Sequence, residues 1–130
     1  YEYFIEAAIV YLSEDGINWY EYPNSFTGDV ANIVETGEPS NYSGFAGLEP
    51  VITNRDKGDS PKPEDALSGG DFFDLENMTS PIKENGFYFI KIVDAGVTIL
   101  DPGNDTDENG DYIFKTNGFD LDAVVGIHYE

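Results

Sequence analysis

The sequence predicts an all-β fold, a β-sandwich of about eight antiparallel strands joined by long loops. Three observations carry this. Apolar residues come in short runs of strand length, without a sustained helical period. Fourteen Gly and seven Pro fall largely between those runs. Aromatic residues, which suit half-buried pleated surfaces, are abundant: nine Tyr, nine Phe and one Trp. At 130 residues, the chain suits a single domain over 1–130 with one core.

Phe4 to Leu12, FIEAAIVYL, is nearly continuous apolar sequence and reads as the first strand. It ends at Ser13-Glu14-Asp15-Gly16, and an acid-Gly pair at a strand end signals a hairpin. The return, Ile17 to Tyr22, alternates. Ile17, Trp19 and Glu21 take one face; Asn18, Tyr20 and Tyr22 take the other. Trp19 is expected to fill the core, and Pro23 ends the strand. Residues Asn24 to Gly86 are loop-rich, with apolar pieces at Val30 to Val34, Phe45 to Leu48, Val51-Ile52 and Phe72 to Leu75. Thr53 to Gly70 is the most polar stretch, and bound ions are one way to order so long an irregular region. A helical turn is expected near Asp65-Ala66-Leu67 or at Phe45 to Leu48. Strand character returns at Gly86 to Asp94, GFYFIKIVD, and continues weakly through Val97 to Leu100. A short strand is expected at Tyr112 to Lys115 and a closing one at Phe119 to Tyr129. The chain opens at Tyr1 inside apparent strand sequence, as expected of a mature or trimmed product.

Charge is the strongest compositional signal. Twenty-six acidic residues face six basic ones, a net charge of −20. Such a chain repels nucleic-acid phosphates and anionic lipid headgroups, so neither is an expected partner. It also repels itself, unless cations neutralise some of the carboxylates. No apolar run approaches the ~20 residues of a membrane span, so direct insertion of this segment is not expected. The absence of Cys excludes disulfides, zinc–thiolate sites and thiol nucleophiles.

Two motifs carry a resemblance. Ser13-Glu14-Asp15-Gly16-Ile17-Asn18-Trp19 resembles the S-x-D-G-x-x-W hairpin of discoidin-like, galactose-binding-like jelly rolls. Gly118-Phe119-Asp120-Leu121-Asp122-Ala123-Val124 is similar to the closing strand of several carbohydrate-binding-module sandwiches, where an acid beside an apolar pair often ligates a structural calcium. Together with AGLEPV (46–51), GGDFFDL (69–75) and FIKIVD (89–94), these motifs look like a family of bacterial cell-surface proteins. The resemblance implies a secreted jelly roll and no particular enzyme activity. Discoidin-like ligand loops are not recognisable, so no sugar-binding residue is carried over.

The acidic loop Asp101 to Asp111 is the best chemical feature. Calcium takes six to eight oxygen ligands from carboxylates, amides and backbone carbonyls. Asp105, Asp107 and Asn109 alternate and precede Gly110, as at the start of an EF-hand loop. The twelfth position is Thr116 rather than a bidentate Glu, and the flanks read as strands. The loop is therefore no EF-hand. It is either a cation site completed from elsewhere or a solvated acidic turn, since Asp and Asn favour turns without any metal. Asp101, Asp105, Asp107, Asn109 and Asp111 are its candidate ligands. Asp71 and Asp74, with Asp120 and Asp122 two apart on one strand face, form a second candidate set. The expected cofactor is calcium.

No catalytic residue is assigned. Nothing singles out a glycosidase pair among the acids. His128 is the only imidazole, and a surface position beside Tyr129 accounts for it. No phosphate-binding Gly-rich motif occurs. The first functional expectation is a non-catalytic, extracellular or cell-surface structural subunit of an assembly or filament. Its partners would be other copies or other cell-surface proteins, and Phe4 to Leu12 is the segment that could pair with a neighbour's sheet edge. The second is a calcium-dependent carbohydrate-binding or adhesion module. In that reading Trp19, Tyr20, Tyr22 and Tyr42 are the aromatic stacking candidates and glycans are the partners.

Overall fold

A computed structural model describes residues 5–49, 69–79, 81–96, 98–99, 108–110, 119, 121 and 124–126. The fold is mainly β, with antiparallel sheets and short helical turns. The strands are β1 (Ala8–Ser13), β2 (Tyr20–Glu21), β3 (Ser25–Phe26), β4 (Tyr42–Ser43) and β5 (Phe89–Asp94). One sheet has the order β2-β1-β5; β3 and β4 form a second, two-stranded one. The helices are α1 (Ile33–Thr36) and α2 (Ile82–Asn85), with 3-10 turns at Pro39–Asn41 and Leu75–Asn77.

β1 is the organising strand, and its apolar run has a simple cause. Ala8, Val10 and Leu12 face one buried cluster, with Tyr22, Ala46, Met78 and Ile82. Ile5, Ala7 and Ile9 face another, with Tyr42, Phe45, Ala95 and Ile99. Where a strand is covered on both faces, as β1 is from Ala8 to Val10, it needs apolar residues at odd and even positions alike. Full burial of Val10 and Leu12 contributes roughly 1.5–3 kcal/mol each. Both edges of β1 are also occupied. Ala8 exchanges N–H···O bonds of 2.9 Å with Ala46, and Tyr22 N donates to Val10 O at 2.8 Å. β5 covers the other side in register from Ala8↔Asp94 to Ser13↔Phe89. The segment expected to pair with a neighbouring chain thus pairs within its own sheet.

The first hairpin forms, but its return is shorter than expected. Asp15 accepts bonds from the amides of Ile17 and Asn18, both at 2.8 Å, and from Asn18 Nδ2 at 2.7 Å. These bonds hold both amides in the turn, so pairing starts only at Tyr20↔Leu12. They also hold the Asp15 carboxyl well below the usual carboxylate range.

Trp19 is not in the core. In the β1–β2 register Glu21 lies opposite Tyr11, so period 2 sends Trp19 to the Tyr11 face. It sits there half-buried, and Tyr22 from the other parity enters the core instead. Helical turns also arise away from the expected places. Asn32 Oδ1 caps α1 through Val34 N at 3.1 Å, which turns the apolar piece at Val30 to Val34 into a helix start. Phe45 to Leu48 is extended and bent, anchored at the Ala8↔Ala46 bridge. The alternative near Asp65 lies outside the described residues.

Past β5 the chain turns. Asp94 Oδ1 accepts from Gly96 N at 2.7 Å, and Thr98 N and Ile99 N both donate to Ala95 O at 2.9 Å. These bonds replace the expected weak continuation to Leu100 as far as Ile99; Val97 and Leu100 lie outside the described residues. Of the expected closing strand, Phe119, Leu121 and residues 124–126 are described, and none is in a strand. Phe119 packs on the β1 cluster, whereas the adjacent Val124 and Val125 are 49% and 54% exposed. Alternation in sequence there does not become alternation in burial. The expected strand at Tyr112 to Lys115 lies outside the described residues.

Candidate functional site

Of the nine candidate cation ligands, Asp71, Asp74 and Asn109 are described. Asp101, Asp105, Asp107, Asp111, Asp120 and Asp122 lie outside the described residues. Asn109 is exposed in a turn with Glu108 and Gly110. Asp71 is half-buried at a corner where two remote loops meet. Its Oδ2 accepts from Gly47 N at 2.7 Å and Leu48 N at 3.1 Å. Burial pushes its carboxyl above the usual range, and those amide bonds pull in the opposite direction. Asp74 caps the 3-10 turn Leu75–Asn77 through Glu76 N at 2.9 Å. Its carbonyl accepts from Tyr22 Oη at 3.3 Å, and Asn77 Nδ2 donates to the same Tyr22 Oη at 2.9 Å. Both Asp side chains thus serve as backbone acceptors, roles that need no cation. Among the described residues, no three acidic or imidazole groups converge as a metal cage.

The described acids find few basic partners. Lys83 and Glu76 form an ion pair at 2.9 Å, the one found among the described residues, between exposed groups. Such a pair contributes about 0–1 kcal/mol, too little to offset the excess of acids.

A second feature lies on the outer face of the three-stranded sheet and was not anticipated. Lys91 Nζ stands 4.5 Å from the Tyr11 ring centroid and 4.7 Å from that of Trp19. The register explains the meeting, because Tyr11 lies opposite both Lys91 and Glu21. The neighbouring Glu21 carboxylate pushes the Tyr11 phenol above its ordinary value. Tyr20, Tyr22 and Tyr42 do not join this group. Tyr20 packs against the β1 cluster, Tyr22 lies within it, and Tyr42 is buried with its Oη donating to Thr36 O at 2.8 Å. The β1–β5 pairing could have been guessed from two apolar runs, but its register, which brings Lys91 to Trp19, could not.

The Asn side chains of two N-x-[ST] triplets are engaged. Asn41 Nδ2 donates to Glu35 O at 2.9 Å, and Asn77 Nδ2 binds Tyr22 as above. Among the described residues, no helix is long and apolar enough to cross a membrane. Comparison with family models, curated proteins and solved structures finds no match to this chain.

Proposed function

We propose that this chain is a non-catalytic, extracellular structural subunit of a cell-surface assembly or filament, folded as a jelly-roll-like sandwich and stabilised by calcium. The observation that carries the reading is the imbalance of 26 acids against six bases. Hard divalent cations are the chemistry that neutralises clustered carboxylates on loops. Asp71 and Asp74 already serve as backbone acceptors, so calcium is proposed at Asp101 to Asp111 and at Asp120 and Asp122. Calcium at a hundred times its Kd adds ~2.7 kcal/mol per site to folding.

The test is thermal unfolding in excess EDTA and then in millimolar calcium. The expected result is a rise in Tm of several degrees per site that equimolar magnesium does not reproduce, and that Asp107→Ala or Asp120→Ala reduces. No rise, or an equal rise with any salt, removes calcium from the reading.

A carbohydrate-binding or adhesion module is the second reading. It is favoured by the half-buried Trp19 beside Tyr11 and Lys91 on an outer sheet face, since flat rings suit the apolar faces of sugars. Binding on a glycan array that Trp19→Ala abolishes, with the fold retained, would establish it. An array with no specific signal would leave the structural reading.

A further inference from the structure

Among the described residues, β5 is an edge strand with one side open. Ala95 N donates to Ala7 O directly opposite it, and Val93, Lys91 and Phe89 follow in step against Ile9, Tyr11 and Ser13. In an antiparallel ladder, alternate residues point their amides and carbonyls to opposite sides. Ile90, Ile92 and Asp94 therefore aim theirs away from β1, and no described strand pairs with that side. Phe89, Ile90 and Val93 are 48%, 37% and 40% exposed. Two of the usual guards of an edge are missing, since the strand runs six residues and contains no Pro. Its lysine lies over Tyr11 and Trp19 on its own sheet.

Charge selects the occupant. Two copies at −20 repel over most of their surfaces, but β5, with Lys91 and Asp94 as its charged residues, carries no net charge. A basic partner would be drawn to the acidic remainder of the chain and would gain nothing here. A second copy meets the least repulsion at this edge, and edge-to-edge antiparallel pairing is self-complementary about a two-fold axis.

The outward residues also restrict the register. Pairing Ile90 with the partner's Ile92 sets Lys91 directly against the partner's Lys91, an unfavourable like-charge pair. Pairing Ile92 with the partner's Ile92 sets Lys91 against the partner's Val93 and keeps five of the six strand residues, Ile90 to Asp94, in the ladder. We propose that two copies of this chain join β5 to β5, antiparallel about Ile92, so that their sheets become one. This deepens the assembly reading and rests on it for its role, but it needs no calcium.

Sedimentation equilibrium of the whole chain, with and without calcium, is the first measurement. The expected result is a monomer–dimer equilibrium in both conditions. Val93→Lys keeps every backbone donor but places an ammonium against the partner's Lys91, and should weaken the dimer about tenfold or more. The chain has no native Cys, so an introduced thiol reports the register directly. Hydrogen-bonded antiparallel pairs have Cα atoms ~5.5 Å apart, within disulfide reach. Ile92→Cys should cross-link to itself under mild oxidation, and an equimolar mixture of Ile90→Cys and Ile92→Cys copies should give no mixed disulfide, since those positions face each other only in the register that opposes the two lysines. Association that Val93→Lys leaves unchanged, or a mixed Ile90→Cys–Ile92→Cys disulfide in place of the Ile92→Cys one, overturns the proposal and spares the assembly reading. A chain that stays monomeric at every concentration overturns both.

Discussion

Gly47→Ala is expected to cost at least about 3 kcal/mol, read as a lowered urea midpoint with an unchanged slope. Gly47 has φ +84°, a region where an L side chain costs about 1–2 kcal/mol through its own sterics. The larger part comes from the surroundings. A Cβ built there overlaps the Glu6 carbonyl oxygen and comes within 2.8 Å of Phe119 Cε2. The Glu6 carbonyl does not yield cheaply, because the paired Ala8–Ala46 amides next to Gly47 tie the two segments together. Gly86→Ala separates the two causes. Gly86 has a similar φ of +77°, and a Cβ there meets nothing within 4 Å. It should lose only the conformational part, about 1–3 kcal/mol at its ψ of −158°. Equal losses at the two sites would mean that the close approach of Gly47 to the Glu6 carbonyl contributes nothing.

The corner that holds Gly47 also shows where the sequence stops being legible. The first strand, the turn at Asp15 and the strand at Phe89 to Asp94 all follow from local signals: an apolar run, an acid-Gly pair and a run of β-branched and aromatic residues. The identity of the core face did not follow. Ile17 to Tyr22 alternates equally well with either parity inward, and the choice was made by Val10 and Leu12, whose register brings Tyr22 inward and leaves Trp19 outside. Propensity favours Trp in a core, but pairing decides which side of the sheet it occupies. The same holds for the acids. Asp71 stands out in the sequence as one of many carboxylates, and ligation of a cation was the natural expectation. Its amide partners at Gly47 and Leu48 lie more than twenty positions earlier, and no local pattern announces them. Asn32 and Asp74, by contrast, cap turns that begin within two residues of them, and a cap followed by a short apolar piece was there to be read.

Asp71→Ala is expected to lower stability by about 2–4 kcal/mol, because it strands the Gly47 and Leu48 amides in a half-buried corner without an acceptor. For a chain of this size that amounts to roughly 10 °C in Tm. Asp71→Asn keeps one carbonyl acceptor and should lose less. The pH dependence has a definite sign. Burial raises the Asp71 carboxyl above its unfolded value, so the folded state binds the proton more tightly than the unfolded state does. The stability contributed by this group is then fully present below the ordinary carboxylate range, and part of it is lost as pH rises through the raised value. Alanine does not titrate, so the gap between wild type and Asp71→Ala should be wider near pH 4 than at pH 7. Taking the difference between the two proteins removes the self-repulsion of the other 25 acids, which dominates the pH profile of either one alone. A gap that widens towards neutral pH would mean that the amide bonds to the carboxylate outweigh its desolvation. Asp71 would then be an anion held in place by donors, the same role that Asp15 plays in the first hairpin, where the amides of Ile17 and Asn18 keep the charge favourable.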